Sequence, residues 1–204
     1  MTKIISTKET LLDTAIRLIC LNGYMSTSLD DILKESGVGK GNFYHYFKSK
    51  EALGYAIIDR IVQRFTDDVL EPLFQARDLP PLERIERFFD HAVWGQRKSQ
   101  CVGGCPMGNL AMELSDVHEG FRQRLAEVFH LWRRRIEEAL VEAKSDGVLV
   151  ARANPESLSR FLVASLEGAI LLTKVKKEIG VMDQCIEELR AHLDLYRIST
   201  GVVA

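Results

Sequence analysis

Two stretches of the chain bring together side chains that can do chemistry. The first, GKGNFYHYF at 39–47, carries lysine, amide, histidine and aromatic side chains. Lysine and asparagine can hydrogen-bond the edges of nucleic-acid bases, and an aromatic ring can contact a thymine methyl group. The second, GCPMGNLAMELSD at 104–116, has a cysteine directly before a proline. If this proline starts a helix, the Cys105 thiol lies where the helix dipole favours an anion, so the pattern predicts a thiolate.

The first stretch is expected to lie on the second helix of a helix-turn-helix. The segment SLDDILKES at 28–36 opens with a serine and an aspartate in capping-box spacing, and SGVG at 36–39 ends it. These lengths are typical of the motif whose second helix enters the major groove of DNA. Phe43 and Phe47, one helical turn apart, are expected to pack inward, which leaves Tyr44 and His45 on the outer face.

Residue types on and around this helix divide into base-reading and phosphate-contacting candidates. Base reading is predicted for the side chains of Lys40, Asn42 and Tyr44. Phosphate contact is predicted at helix starts, where free N–H groups favour an anion, for Thr27, Ser28 and Lys50. Phosphate contacts position a protein on DNA and do not specify the sequence. The other interpretation is that the aromatic residues of this stretch are ordinary surface residues.

Composition and charge limit the classes of protein to consider. The chain has 204 residues, 46% of them hydrophobic, which is enough for a core without disulfides, and its four cysteines are too scattered for a disulfide framework. The formal charge of -2 excludes a uniformly basic nucleic-acid-binding protein, so any contact with nucleic acid is expected to be local. No run of about 18 apolar residues and no signal peptide is present, so we expect no membrane partner and a cytoplasmic location.

Helical periodicity runs along the whole chain and predicts an all-α fold of about nine helices. We expect an N-terminal helix-turn-helix DNA-binding domain at 1–52 and a C-terminal helical effector-binding and dimerisation domain at 53–204. The last two helices, expected at about 155–179 and 183–198, are strongly apolar. Two such helices from each of two chains could form a four-helix interface, or both could be buried within one chain.

The stretch TSLDDILKESGVGKGNFYHYFKSKEAL at 27–53 resembles the DNA-binding signature of the TetR family of bacterial repressors, and the match extends over residues 6–55. The resemblance implies a homodimer joined by its last two helices. It implies repression at a palindromic operator, release by a small-molecule effector, and neither enzyme activity nor a cofactor. The positions where the family reads bases are Lys40, Gly41, Asn42 and Tyr44. The positions where it meets phosphate are Thr27, Ser28, His45, Tyr46 and Lys50.

The cysteine stretch resembles the same region of a TetR subgroup that represses N-ethylmaleimide reductase and responds to bleach and reactive electrophiles. The resemblance implies that Cys105 is the sensor and Lys174 its partner. This sequence departs from that subgroup just after the cysteine, at PMGN 106–109. Three alternatives therefore stay open: covalent sensing at Cys105, reversible binding of an apolar or aromatic effector, and a Cys105 that is a small buried helix-capping residue.

An effector pocket is also plausible in the middle of the chain, because its helices carry more aromatic and soft apolar surface than pairing requires. The candidate lining residues are Trp94, Met107, Phe121 and Trp132, and others of this group are expected to be core. A metal site built from Cys101, Cys105, His91 and His118 lacks a recognised ligand spacing, so no metal is expected. A thiol enzyme with Cys105 as nucleophile lacks any accompanying signature, so no catalytic residue is expected.

Overall fold

The computed structural model of the protein describes residues 6–198, and this part of the chain is predominantly helical. The helices are α1 Thr7–Asn22, α2 Leu29–Ser36, α3 Lys40–Tyr46, α4 Lys50–Phe65, α5 Glu71–Phe74, α6 Pro81–Lys98, α7 Pro106–Leu114, α8 Glu119–Ser145, α9 Pro155–Lys176 and α10 Ile179–Asp194. A π-helical turn, Thr66–Leu70, joins α4 to α5 without a break. Residues 6–198 therefore contain nine continuous helical stretches, which confirms the predicted fold class.

Three helices begin at side-chain caps, one of them the predicted cap of α2. The Ser28 hydroxyl accepts a hydrogen bond from the backbone N–H of Asp31 at 3.0 Å, and the Ser6 hydroxyl accepts one from Glu9 at 3.2 Å. The Asn154 side chain does the same for α9. Each such cap contributes about 1 kcal/mol to helix stability.

The last helix begins four residues earlier than expected, at Ile179 rather than Asp183. Lys177 adopts a left-handed conformation with φ 59° and ends α9, and Glu178 is extended and precedes α10. The helix restarts as soon as the chain has turned. The Asp183 carboxylate instead accepts hydrogen bonds from the guanidinium of Arg97 at 2.7 Å.

The described chain divides into two compact units. The first consists of two segments, the described chain up to Arg64 and the later segment Pro106–Glu127. Its core contains Phe43, Leu53, Ile57 and Phe121, all almost fully buried. The domain boundary expected at residue 52 lies inside α4. The division into a DNA-binding domain at 1–52 and an effector domain at 53–204 stays a prediction.

The second unit comprises Phe65–Cys105 and the chain from Val128 onward. In it α10 packs against α9 and α6, and α6 also packs against α9. The guanidinium of Arg84 is 3% exposed and is paired with the carboxylate of Glu142. No helix in the described part of the chain is long and apolar enough to cross a lipid bilayer.

Candidate DNA interface and the cysteine region

Helix α3 has one fully buried face and one exposed face. Phe43 is 0% exposed and its ring centroid lies 5.8 Å from that of Phe47, which is also buried with Val38. This confirms the inward packing predicted for these residues. Tyr44, next to Phe43 in sequence, is 52% exposed. The side chains that α3 presents to solvent are Lys40, Asn42, Tyr44, His45 and Tyr46.

The start of α3 is open to a close approach by another molecule. Gly39 is the N-cap and provides no side-chain cap hydrogen bond. A Cβ atom placed on Gly39 or Gly41 would meet nothing within 4 Å, so the chain's own packing does not require glycine at either position. The missing side chains leave the backbone N–H groups at the start of α3 accessible, as a close backbone contact with DNA requires.

Two of the residues for which phosphate contact is predicted have side chains that hydrogen-bond within the first unit. Thr27 is 1% exposed, and its hydroxyl donates to the Gly23 carbonyl at 2.7 Å. Lys50 is half-buried, its ammonium donates to the Tyr24 carbonyl at 2.7 Å, and burial lowers its pKa. Both side chains make hydrogen bonds inside the unit, and phosphate contact at Thr27 and Lys50 stays a prediction. Ser28 is exposed and caps α2, with its hydroxyl donating to Asp31 at 2.6 Å.

Glu113, on α7, bonds to the turn that precedes α2. Its two carboxylate oxygens accept hydrogen bonds from the backbone N–H groups of Tyr24 at 2.8 Å and Met25 at 2.7 Å. The sequence analysis did not single out this residue. No local signal could have found it, because the partners are 89 and 88 residues apart in the chain.

Cys105 directly precedes α7, as predicted, and its thiol hydrogen-bonds the carboxyl of Glu167. Burial raises the pKa of the Glu167 carboxyl, and the hydrogen bond with Cys105 offsets part of that rise. A neighbouring carboxylate disfavours a thiolate, which opposes the expected effect of the helix dipole. The aliphatic chain of Lys174 lies against Gly104, since a Cβ on that glycine would be 3.0 Å from its Cδ. The structure therefore brings Lys174 beside the residue preceding Cys105.

The loop before Cys105 has an unusual backbone. Gln100 and Cys101 have φ values of 53° and 60°, in the left-handed region that non-glycine residues rarely adopt. Cys101 is buried, and its carbonyl accepts a hydrogen bond from the ammonium of Lys177 at 3.2 Å. This contact holds the loop to the end of α9.

The four side chains expected at an effector pocket divide between the two units. Met107 and Phe121 are buried in the first unit, where the Phe121 ring stacks on Tyr55 at 4.5 Å. Trp94, in the second unit, is 54% exposed. Trp132, also in the second unit, is buried, and its indole N–H has no hydrogen-bond partner among the described residues. Of the four, only Trp132 combines burial with an unused polar group.

Aromatic rings surround Trp132 in the second unit. Its ring centroid lies 5.5 Å from Phe65 and 5.2 Å from Phe129. His91 contacts Phe65 at 5.9 Å, and burial lowers the pKa of its imidazole. No group of three or more histidine, cysteine or acidic side chains that could hold a metal ion occurs in the described part of the chain.

Two family models match the chain. The model described as bacterial regulatory proteins, tetR family, matches residues 11–57, and the tetracyclin repressor-like C-terminal domain matches residues 81–193. A regulator of the helix-turn-helix type from Lactococcus lactis is 33% identical over 189 residues, 93% of this chain and 94% of the relative. The matched regulators are transcriptional regulators and not enzymes.

Solved structures show the same fold. A regulatory protein TetR from Rhodobacter sphaeroides has a TM-score of 0.83 and 31% identity, over 90% of this chain and 97% of that one. The reduced form of NemR from Escherichia coli has a TM-score of 0.81 and 26% identity, over 96% of this chain and 99% of that one. With the fold and both family models in agreement, the chain belongs to the TetR family of bacterial transcriptional regulators.

Proposed function

We propose that the protein is a homodimeric repressor that reads a palindromic operator with α3 and releases it when a small-molecule effector binds. The observation that carries the proposal is the division of α3 into a buried face, with Phe43 fully covered, and an exposed face that bears Lys40, Asn42 and Tyr44. Regulators of this family bind DNA and act as dimers with small-molecule effectors. Binding to chromosomal DNA is the basis for proposing a cytoplasmic location.

Selection from a library of random duplexes tests the proposal directly. We expect the full chain to enrich an inverted repeat whose half-sites lie about one helical turn, or a small multiple of it, apart, because the two copies of α3 are related by a two-fold axis. Failure to enrich any repeat at low salt would overturn the proposal. The enriched duplex, called the operator below, then serves in the other experiments.

Lys40→Ala is expected to relax sequence choice. A lysine that hydrogen-bonds a base edge contributes about 1–3 kcal/mol of discrimination, so operator affinity should fall by that amount while affinity for a scrambled duplex changes little. Lys48→Ala is the matched control, since Lys48 is exposed in the turn after α3 and is expected to weaken both duplexes equally. Anisotropy titrations on both duplexes measure the difference. Equal losses for Lys40→Ala on the two duplexes would contradict base reading.

Dimerisation through α9 and α10 is part of the proposal. Each chain buries one side of these helices within itself, including Leu162, Leu166 and Met182. A second set of large apolar side chains on α9 stays exposed, namely Phe161, Leu171, Leu172 and Val175. An apolar surface of this kind is typical of a subunit interface.

For the effector we favour reversible binding in the second unit. The buried indole N–H of Trp132 among the rings of Phe65 and Phe129 fits an aromatic molecule that carries one hydrogen-bond acceptor. Such a ligand would raise the unfolding temperature of the protein, and its effect would not depend on Cys105.

Covalent sensing at Cys105 is the second candidate. Glu167 disfavours a standing thiolate, but its carboxylate is placed to act as the base during the reaction, and this role favours the candidate. Glu167 can take the thiol proton as the sulfur adds to one carbon of an activated alkene. The carbon–carbon double bond becomes single, and the proton is delivered to the other carbon. Lys174, whose aliphatic chain lies against Gly104, is the residue for which we propose a response to this change.

Cys105→Ser separates the two candidates. Under covalent sensing, N-ethylmaleimide should weaken operator binding by the wild-type protein at least tenfold and leave Cys105→Ser unaffected, because serine does not add to the alkene. Cys185→Ser, at another half-buried cysteine, is the control and should respond as the wild type does. A Cys105→Ser protein that still releases the operator on treatment would exclude covalent sensing at this residue.

A further inference from the structure

The turn between α1 and α2 is held by a carboxylate from a distant helix. Glu113 of α7 accepts two hydrogen bonds, from the N–H groups of Tyr24 and Met25, at 2.8 and 2.7 Å. A carboxylate that accepts two backbone N–H groups in this way makes charge-assisted hydrogen bonds, which are stronger than neutral ones. Glu113 lies within the stretch GCPMGNLAMELSD, but the proposed functions of that stretch do not use it.

The same turn is also held by α4. The ammonium of Lys50 donates to the Tyr24 carbonyl at 2.7 Å and lies 4.4 Å from the centroid of the Tyr24 ring. That ring packs edge-on against Phe121 at 5.2 Å. Burial first, and then the charges of nearby groups including Glu51 and Glu113, raise the pKa of Tyr24 to about 12. The backbone N–H, the carbonyl and the ring of Tyr24 are therefore each fixed by a different residue.

Gly23 allows the carboxylate to come this close. It has a φ of 90°, and a Cβ placed there would lie 3.0 Å from an oxygen of Glu113. Its carbonyl accepts the hydrogen bond from the buried Thr27 hydroxyl at 2.7 Å. Thr27 directly precedes Ser28, the N-cap of α2. The positions of Gly23 and Tyr24 thus set where the first helix of the helix-turn-helix begins.

We infer that Glu113 is a positioning residue for DNA binding: its carboxylate fixes the turn between α1 and α2 and thereby the placement of the helix-turn-helix on DNA. The inference rests on the proposed function, because it concerns the affinity of α3 for the operator. It also makes α7, together with α4, a helix that holds this turn.

Glu113→Gln is the variant that tests this role most specifically. A glutamine offers one acceptor oxygen, and its amide group would face the second backbone N–H donor to donor, so the two hydrogen bonds cannot both form. Glu113→Asp keeps both oxygens but is one methylene shorter. The matched control is Glu119→Gln, the same chemical change in the same unit, where the side chain bonds only to Arg122 and Gln123 among its described hydrogen bonds.

Two measurements on the full chain test the inference. Operator affinity is measured by anisotropy, and hydrogen exchange is measured at the amides of Tyr24 and Met25, with the buried Ile57 in α4 as reference. We expect Glu113→Gln to weaken operator binding at least tenfold and to speed exchange at Tyr24 and Met25 at least tenfold, with Ile57 unchanged. Glu113→Asp should lie between Glu113→Gln and the wild type, and Glu119→Gln should match the wild type.

Three results would overturn the inference. The first is operator affinity within twofold of wild type for Glu113→Gln. The second is unchanged exchange at Tyr24 and Met25. The third is faster exchange at Ile57 as well, which would mean that Glu113 stabilises the whole unit rather than the turn. Absence of a selected operator for the wild-type protein would instead count against the proposed function, so the two failures are distinguishable.

Discussion

Phe43→Ala is expected to reduce the unfolding free energy of the first unit by about 3–5 kcal/mol and to abolish operator binding. The Phe43 side chain is fully buried, and its ring centroid lies 5.2 Å from Tyr44 and 5.8 Å from Phe47. Removing it leaves a cavity under a seven-residue helix that has no side-chain N-cap. So short a helix depends on tertiary packing, and α3 is therefore expected to lose its order.

The two tryptophans make this effect measurable unit by unit. Both Trp94 and Trp132 lie in the second unit. Tryptophan fluorescence should therefore shift less than hydrogen exchange at buried amides of α4, such as Leu53 and Ile57, which should accelerate strongly. An equal shift in both signals would contradict an effect confined to the first unit.

Tyr44→Ala is the control for this experiment. Tyr44 contacts the Phe43 ring but is half exposed, so its removal should change the unfolding free energy by only about 0.5–1.5 kcal/mol. Operator binding should still weaken, since Tyr44 lies on the proposed reading face. A Tyr44→Ala protein as unstable as Phe43→Ala would show that the two faces of α3 are not separated as described.

Glu142→Gln is expected to destabilise the second unit by about 3 kcal/mol. The Arg84 guanidinium is almost fully buried and donates to both oxygens of Glu142, at 2.8 and 3.0 Å, and to the Leu79 carbonyl at 2.9 Å. Removing one partner of a buried pair leaves an uncompensated charge, which typically costs about 3–5 kcal/mol. The partial exposure of Glu142 places the expected loss at the lower end of that range.

Denaturant unfolding followed by tryptophan fluorescence measures the loss. Glu138→Gln, which alters exposed pairs with Arg134 and Arg135, is the matched control and should change stability by less than about 1 kcal/mol. If the two variants were equally stable, the pair between Arg84 and Glu142 would not be the buried anchor that the geometry indicates.

The same pair predicts the response of the second unit to acid. The hydrogen bonds from Arg84, followed by its charge and that of Arg77, hold the pKa of Glu142 below the ordinary carboxyl value. The stabilisation by Glu142 is therefore complete above the pKa of an unfolded glutamate and is lost as the pH falls through the lowered value. In Glu142→Gln this part of the acid dependence should be absent. A wild-type and a variant protein with parallel acid profiles would contradict the assignment.

Local signals account for the parts of the fold that the sequence predicted. Ser28 with Asp31 encodes the start of α2 within four residues, and the four-residue spacing of Phe43 and Phe47 encodes the inner face of α3. Such signals act through neighbouring backbone groups and the helical period, so they can be read without knowing the fold. The α10 start was misplaced because Asp183 resembles a helix cap in sequence but pairs with Arg97 on α6.

The sequence by itself determined the fold class, the inner and outer faces of α3 with Tyr44 exposed, and the family to which the chain belongs. Only the tertiary structure decided that Thr27 and Lys50 are used inside the first unit, that Glu113 holds the turn before α2, and that Cys105 bonds to Glu167. The physical reason is the separation in sequence between the groups that interact. A cap or a helical stripe is completed by residues a few positions away, whereas a carboxylate finds its partner only when packing brings together segments that are far apart in the chain.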